Sequence, residues 1–248
     1  MTVYRIDLAY DGSGFHGYAR QPGLRTVQGE LEAALAPFIG GVETFVAGRT
    51  DRGVHATGQV ASFEVDAVLD TARVRRSLNA RLAPEIAVSA VSEAPPGFHA
   101  RFSATGRSYT YLIIDGEVPD PFLAATSWHL GSALDEALMS RAAAHLVGEH
   151  DFSSLCRRSG DRSLVRRVEH AAWSRRRPDL VALDISASSF CHQMVRSVVA
   201  LCVDVGRGRI DPDSVPAVLA ALDRHAARGA APPHGLTLTA VQYPVSSI

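Results

Sequence analysis

The sequence predicts an α+β fold. Two related halves, each of the split βαβ (ferredoxin-like) kind, would share a mainly antiparallel sheet, with an active-site cleft between them. Three observations predict it. The chain has 248 residues, room for one large domain or two ordinary ones. Its periodic segments run strand, helix, strand, strand, helix, strand, and the second half repeats that order with one extra helix. A breaker cluster, Pro95-Pro96-Gly97, separates the two runs. The halves are therefore drawn as residues 1–97 and 98–248, with helices layered on one face of the sheet.

Residues 3–10 place Tyr4, Ile6, Leu8 and Tyr10 on one face, which is strand alternation. A glycine-rich loop follows at Asp11–Tyr18. It lacks the strand–loop–helix setting of a dinucleotide site. Thr26 caps a helix with Val27, Leu31, Ala34, Leu35 and Phe38 inward, and Gly40-Gly41 stops it. Strands are expected at 43–47 and 57–65. Asp70 or Thr71 caps a second helix carrying Val74, Leu78 and Leu82. Pro84 ends that helix, and a strand at 85–93 closes the half. The second half opens with a long strand from Phe102 to Ile114, interrupted near Gly106. A helix over 132–147 presents Leu134, Leu138, Ala142 and Leu146. Strands at 164–175 and 179–187 form a hairpin around Arg177-Pro178-Asp179. An apolar helix is expected over 189–205, a further helix from Pro212, and a last strand at 236–243.

Hydrophobic residues make up 46% of the chain, ample for a core, yet no run of 18 apolar residues offers a membrane span. The N-terminus does not read as a signal peptide, because acid and base interrupt it at once. Cys156, Cys191 and Cys202 are odd in number and form no C-x-x-C pair. No disulfide framework and no structural zinc are expected, and a cytoplasmic setting follows. A formal net charge of −1 hides two basic blocks. Residues 73–107 carry six Arg against two Glu, and residues 155–177 carry eight Arg against two acids. All 25 basic residues are arginine. Arginine forks onto phosphates and stacks on bases, which suits RNA, although a GC-rich genome also favours it.

Chemistry concentrates in Gly48-Arg49-Thr50-Asp51-Arg52-Gly53-Val54-His55-Ala56, a polar connection between two strands. The flanking arginines favour the ionised form of Asp51. A carboxylate on a rigid connection can act as a nucleophile, or it can cap its own turn. Arg107, Tyr109 and Tyr111 share one strand face, where a tyrosine beside arginine can stack on a base or move a proton. They can equally be half-buried strand aromatics. Arg196 lies on an otherwise apolar helix and calls for a carboxylate partner: Asp51, Asp204 or solvent. His192, at the helix start, reads as structural. The polar loop at Leu155–Ser163 carries Arg157, Arg158 and Arg162, either to clamp a phosphate backbone or as a solvated surface. Ala231-Pro232-Pro233-His234-Gly235-Leu236 reads as a rigid supporting turn.

These motifs together resemble the TruA-type tRNA pseudouridine synthases. The resemblance runs from Tyr10-Asp11-Gly12-Ser13-Gly14-Phe15 through Gly48–Ala56. It continues through Phe98-His99-Ala100-Arg101-Phe102, Arg107–Tyr111, Asp151-Phe152-Ser153-Ser154, Phe190–Arg196 and Ala231–Leu236. It implies a homodimer acting without metal or cofactor on uridines 38, 39 and 40 of the tRNA anticodon stem-loop. It implies catalytic roles for Asp51 as nucleophile, for Tyr109 stacking on the target base, and for Arg196 pairing with Asp51. Arg49 would fill the space left by the flipped base. Arg52, His55, Arg101, Arg107, Arg157 and Arg158 would also contact RNA. The sequence departs from the family pattern at Tyr18, where Trp is usual, at Ala19, where Gln is usual, and at Cys191 and Ala200.

Overall fold

The computed structural model describes residues 1–158, 160, 163–227 and 229–244. In chain order the elements begin β1 (Thr2–Tyr10), α1 (Val27–Ile39), β2 (Phe45–Val46), β3 (His55–Val65), α2 (Thr71–Leu82) and β4 (Ile86–Glu93). They continue with β5 (Gly106–Ile114), β6 (Trp128–His129), α3 (Glu136–Ala144), β7 (Gly148–Asp151), β8 (Val165–Arg177) and β9 (Leu180–Ala187). The last are α4 (Met194–Gly206), α5 (Val215–Ala220) and β10 (Leu236–Gln242). The chain forms two compact units. One is Met1–Thr105 with the segment from Thr237 onward, and the other is Gly106–Leu236. Both mix helix with mostly antiparallel sheet.

In the first unit the strands run β4-β1-β3-β10, with β2 beside β3. β1 pairs antiparallel with β3 (Ile6 opposite Ala61) and with β4 (Ile6 opposite Val91). β10 joins β3 in parallel, with Thr237 opposite His55. The alternation read from β1 holds: Tyr4, Ile6, Leu8 and Tyr10 are all buried. Leu31 and Leu35 of α1 and Leu78 of α2 are fully buried too, and such apolar burial is the main source of stability here. The Thr26 hydroxyl accepts the Gly29 N–H at 3.2 Å, as a capping side chain should. At α2 the cap is Asp70, whose carboxylate accepts the Arg73 N–H at 2.9 Å.

In the second unit the strands run β5-β9-β8-β7, with β6 parallel to β5. The β8–β9 hairpin forms where expected, with Trp173 opposite Leu183. Several boundaries differ from the sequence reading. β5 begins at Gly106, because the segment before it closes local turns: Phe98 N–H donates to Pro95 O at 3.0 Å and Ser103 N–H to His99 O at 2.9 Å. α3 is shorter than 132–147, because Asp135 caps it by accepting the Leu138 N–H at 3.0 Å. Of the expected inward positions Leu134, Ala142 and Leu146 are buried and Leu138 is half-buried, and Met139 and Ala143 are buried as well. α4 starts at Met194, after Gln193 at φ +64°. β6 and β7 were not anticipated; runs of two and four residues are too short to show a period.

Cys156 and Cys191 are joined as a disulfide, with Cα atoms 5.9 Å apart. This corrects the expectation that the cysteines stay unpaired. The fold lays the segment after Phe152 against the entry to α4, where Arg157 N–H donates to His192 O at 2.9 Å. A sequence separation of 35 gives no sign of that approach. Cys202 is free and buried, and burial pushes its thiol up to about 12.

Asp115 is nearly fully buried. Its two oxygens receive Arg175 Nη1 at 3.0 Å and Nη2 at 2.8 Å, and Oδ2 also accepts the Leu134 N–H at 3.1 Å. Burial alone would raise its pKa, but the Arg175 hydrogen bonds and charge and the Leu134 N–H outweigh burial and hold it below the ordinary value. A carboxyl lowered in the folded state contributes stability above its unfolded pKa and loses it as pH falls through the folded one. Asp115→Asn is therefore expected to cost about 2 kcal/mol at pH 7. Urea unfolding should show the gap from wild type closing as pH drops below the carboxylate range. A gap independent of pH would contradict this account.

Candidate active site

The connection between β2 and β3 carries Asp51. Gly53 sits at φ +77°, a region glycine enters without a steric penalty, and Val54 N–H turns back to donate to Asp51 O at 3.1 Å. Asp51 is half-buried, while Arg49 and Arg52 on either side are exposed. The N-terminal glycine loop braces this turn. Tyr18 N–H donates to Thr50 O at 3.1 Å. Gly12 lies so close to Val54 that a Cβ there would sit 2.1 Å from the Val54 carbonyl oxygen. His55 is buried, and its Nδ1 lies 3.1 Å from the Gly12 nitrogen, which donates to it. The same Nδ1 is 3.1 Å from an Asp11 carboxylate oxygen. Among the described residues, its buried Nε2 has no hydrogen-bond partner. Tyr18, which stands where the family has Trp, is fully buried and its ring packs against Tyr10 at 6.0 Å. That departure therefore lies in the core of the first unit.

Two further residues behind the loop escaped the sequence reading. Gln59 Nε2 donates to Gly48 O at 2.8 Å and to Tyr10 Oη at 3.2 Å, and Tyr10 Oη lies 2.8 Å from Thr50 Oγ1. Gln59 is fully buried in a strand whose neighbours Val60, Ala61 and Phe63 are core. A glutamine in so apolar a run was the available signal, since a buried polar group needs partners. Elsewhere in this unit Phe45, His99 and Phe102 form a ring cluster, with centroids 4.7 and 4.5 Å apart. The Arg101 guanidinium lies 5.4 Å over the exposed Phe102 ring.

The second unit holds the other candidate residues. Arg107, Tyr109 and Tyr111 are all buried on β5, as the alternation predicted. The Tyr109 ring stands edge-on to Phe190 at 5.2 Å, and Arg107 Nη1 donates to Ser188 O at 3.0 Å. Arg196 sits in the first turn of α4. Its Nε donates to Ala231 O at 2.7 Å, and Ala231 N–H donates to Arg196 O at 2.9 Å. Tyr111 Oη donates to Pro232 O at 2.8 Å; burial raises its pKa and Arg196 opposes that. The turn at Ala231–Leu236 is thus a support for both Arg196 and Tyr111. Arg157 and Arg158 are exposed, directly after the disulfide. Ser159, Asp161 and Arg162 of the same loop lie outside the described residues.

Chemically, the first unit offers a carboxylate on a braced turn between two exposed guanidinium groups. Such a carboxylate can attack an electrophilic carbon, and the arginines can receive phosphates. Among the described residues, no group of three His, Cys, Asp or Glu side chains could hold a metal ion, and no helix is long and apolar enough to cross a membrane.

A family model described as tRNA pseudouridine synthase matches residues 8–103 and 142–244. A protein named tRNA pseudouridine synthase A from Moorella thermoacetica is 43% identical over 247 residues, 98% of this chain and 100% of that one. Proteins of the same name from Frankia casuarinae and Bacillus subtilis are 44% and 40% identical. They cover 97% and 96% of this chain, and 89% and 98% of their own lengths are matched. Among solved structures, a chain of a Cbf5–Nop10–Gar1 complex gives a TM-score of 0.36 at 14% identity, over 81% of this chain and 45% of that chain. The chain belongs to the tRNA pseudouridine synthase family, whose members are isomerases.

Proposed function

We propose that the chain isomerises uridines 38, 39 and 40 of the tRNA anticodon stem-loop to pseudouridine, with Asp51 as nucleophile and the target base flipped out of its stack. One observation carries this reading: the carboxylate of the family signature stands on a braced turn between two exposed arginines. Asp51 attacks the uracil ring or the ribose C1′ carbon. The C1′–N1 bond breaks, the ring turns, C5 bonds to C1′, and the bond from Asp51 to the ring or to C1′ breaks, so the carboxylate is returned. The C5 proton leaves and N1 gains one, so the product is an isomer and no redox partner is consumed. Tyr109 stacks on the uracil and takes part in proton transfer. Arg196 pairs with the Asp51 carboxylate, and Arg49 fills the space that the flipped base vacates. Arg52, Arg101, Arg157 and Arg158 receive phosphates. His55 and Arg107 are buried, and serve RNA binding by shaping the segments that carry Arg52 and Tyr109.

The same reading makes the protein a cytoplasmic homodimer of 26.5 kDa subunits. It takes residues 1–97 and 98–248 as two versions of one split βαβ plan; the order β4-β1-β3 with β2 beside β3 supports this in the first half. Light scattering at micromolar concentration should give the dimer mass, and a clean monomer contradicts that part.

Loss of the C5 proton gives a direct assay. A tRNA transcript labelled with tritium at uridine C5 should release tritium to water, one for each pseudouridine formed. Pseudouridine formed without release would contradict the mechanism. Replacing Arg157 and Arg158 together by Ala should raise the tRNA Kd by about tenfold and flatten its salt dependence by about one to two units of log–log slope. An unchanged slope would place both side chains away from the RNA.

A further inference from the structure

Behind the Asp51 turn lies a buried hydrogen-bond chain. The Gln59 amide has two protons, one for Gly48 O at 2.8 Å and one for Tyr10 Oη at 3.2 Å. The amide orientation follows, since its oxygen could not face the Gly48 carbonyl. Tyr10 accepts from Gln59, and its hydroxyl pairs with Thr50 Oγ1 at 2.8 Å, where either oxygen can be the donor. Burial pushes the Tyr10 hydroxyl up to about 12, against the hydrogen bonds to Thr50 and Gln59, and so it keeps its proton. The chain therefore runs Gln59 to Tyr10 to Thr50 and ends beside Asp51.

The backbone around Asp51 is held at several points. Gly48 O takes the Gln59 amide, Thr50 O takes the Tyr18 N–H, Thr50 Oγ1 pairs with the Tyr10 hydroxyl, and Asp51 O takes the Val54 N–H. Of these, the side-chain links all come from Tyr10 and Gln59, which are buried and so shielded from competing water. A nucleophile displaced by about 1 Å can lose about a hundredfold in rate.

We propose that the Gln59–Tyr10–Thr50 chain sets the position of Asp51, and that Thr50 is the positioning residue through which it acts. The proposal rests on Asp51 being the nucleophile. The test compares wild type with Thr50→Val, Thr50→Ser, Tyr10→Phe and the double variant Tyr10→Phe/Thr50→Val. Single-turnover pseudouridine formation and tRNA Kd are both measured. Thr50→Val and Tyr10→Phe should each slow the reaction by roughly tenfold to a hundredfold, while the tRNA Kd stays within about twofold. Thr50→Ser restores the hydroxyl and should recover the rate to within about threefold. The double variant should be no slower than the slower single one, because either change cuts the same chain.

Wild-type rates in both single variants would overturn the proposal. So would a loss of binding equal to the loss of rate, a Thr50→Ser variant as slow as Thr50→Val, or single effects that multiply in the double variant. If circular dichroism shows Thr50→Val unfolded, Tyr10→Phe decides by the same rate and Kd criteria. A wild type that forms no pseudouridine contradicts the Asp51 reading itself. An active wild type with unaffected variants contradicts only the chain.

Discussion

Asp51→Asn is expected to lower pseudouridine formation by about a thousandfold or more while leaving tRNA affinity within about threefold. Asparagine keeps the size of the side chain but offers no anionic oxygen to attack with. The hydrogen bonds that brace the turn run through Gly48 O, Thr50 and Asp51 O, all of which the variant retains. Binding and folding should therefore survive the loss of chemistry. Tritium release and a filter-binding isotherm on the same preparation separate the two. Wild-type turnover in the variant would remove Asp51 from the mechanism.

Gly12→Ala is expected to have the second-largest effect, and through geometry alone. Its Cβ would lie 2.1 Å from the Val54 carbonyl oxygen and 2.6 Å from the carbonyl carbon. Both are backbone atoms, so no side chain can swing away. The loop at Asp11–Tyr18 and the Asp51 turn must separate. Overpacking of this kind costs roughly 1–3 kcal/mol, and the displaced turn should lose about a hundredfold in rate. Gly41→Ala is the control, since nothing lies within 4 Å of its added carbon. Thermal unfolding and single-turnover rates should show Gly41→Ala near wild type and Gly12→Ala impaired in both. A fully active Gly12→Ala would mean that the two loops do not brace one another.

Much of the fold was legible where a period was long and uninterrupted. The faces of β1, α1 and α2 follow from apolar spacing alone, and their caps from Thr26 and Asp70. The reading failed where local hydrogen bonding overrode the pattern. Residues 102–105 look like strand yet belong to a segment that closes turns on Pro95 and His99. Residues 189–193 look like helix, but Cys191 is tied to Cys156 and His192 O to Arg157 N–H. For the candidate site, the sequence pointed to Asp51 and its arginines because charge and glycine crowd together there. It did not point to Gln59 or Tyr10 as parts of that site. Tyr10 counted as one of four apolar strand positions, and the partners of Gln59 lie 49 and 11 residues away along the chain. Their role depends on β1 and β3 being paired, which only the fold supplies.

The most direct test of the central claim maps the product. Purified protein is incubated with an unmodified tRNA transcript, and pseudouridine is located by chemical labelling and primer-extension stops. The account predicts new stops at uridines 38, 39 and 40, absent with Asp51→Asn. Stops elsewhere in the tRNA, or none despite saturable tRNA binding, would contradict it.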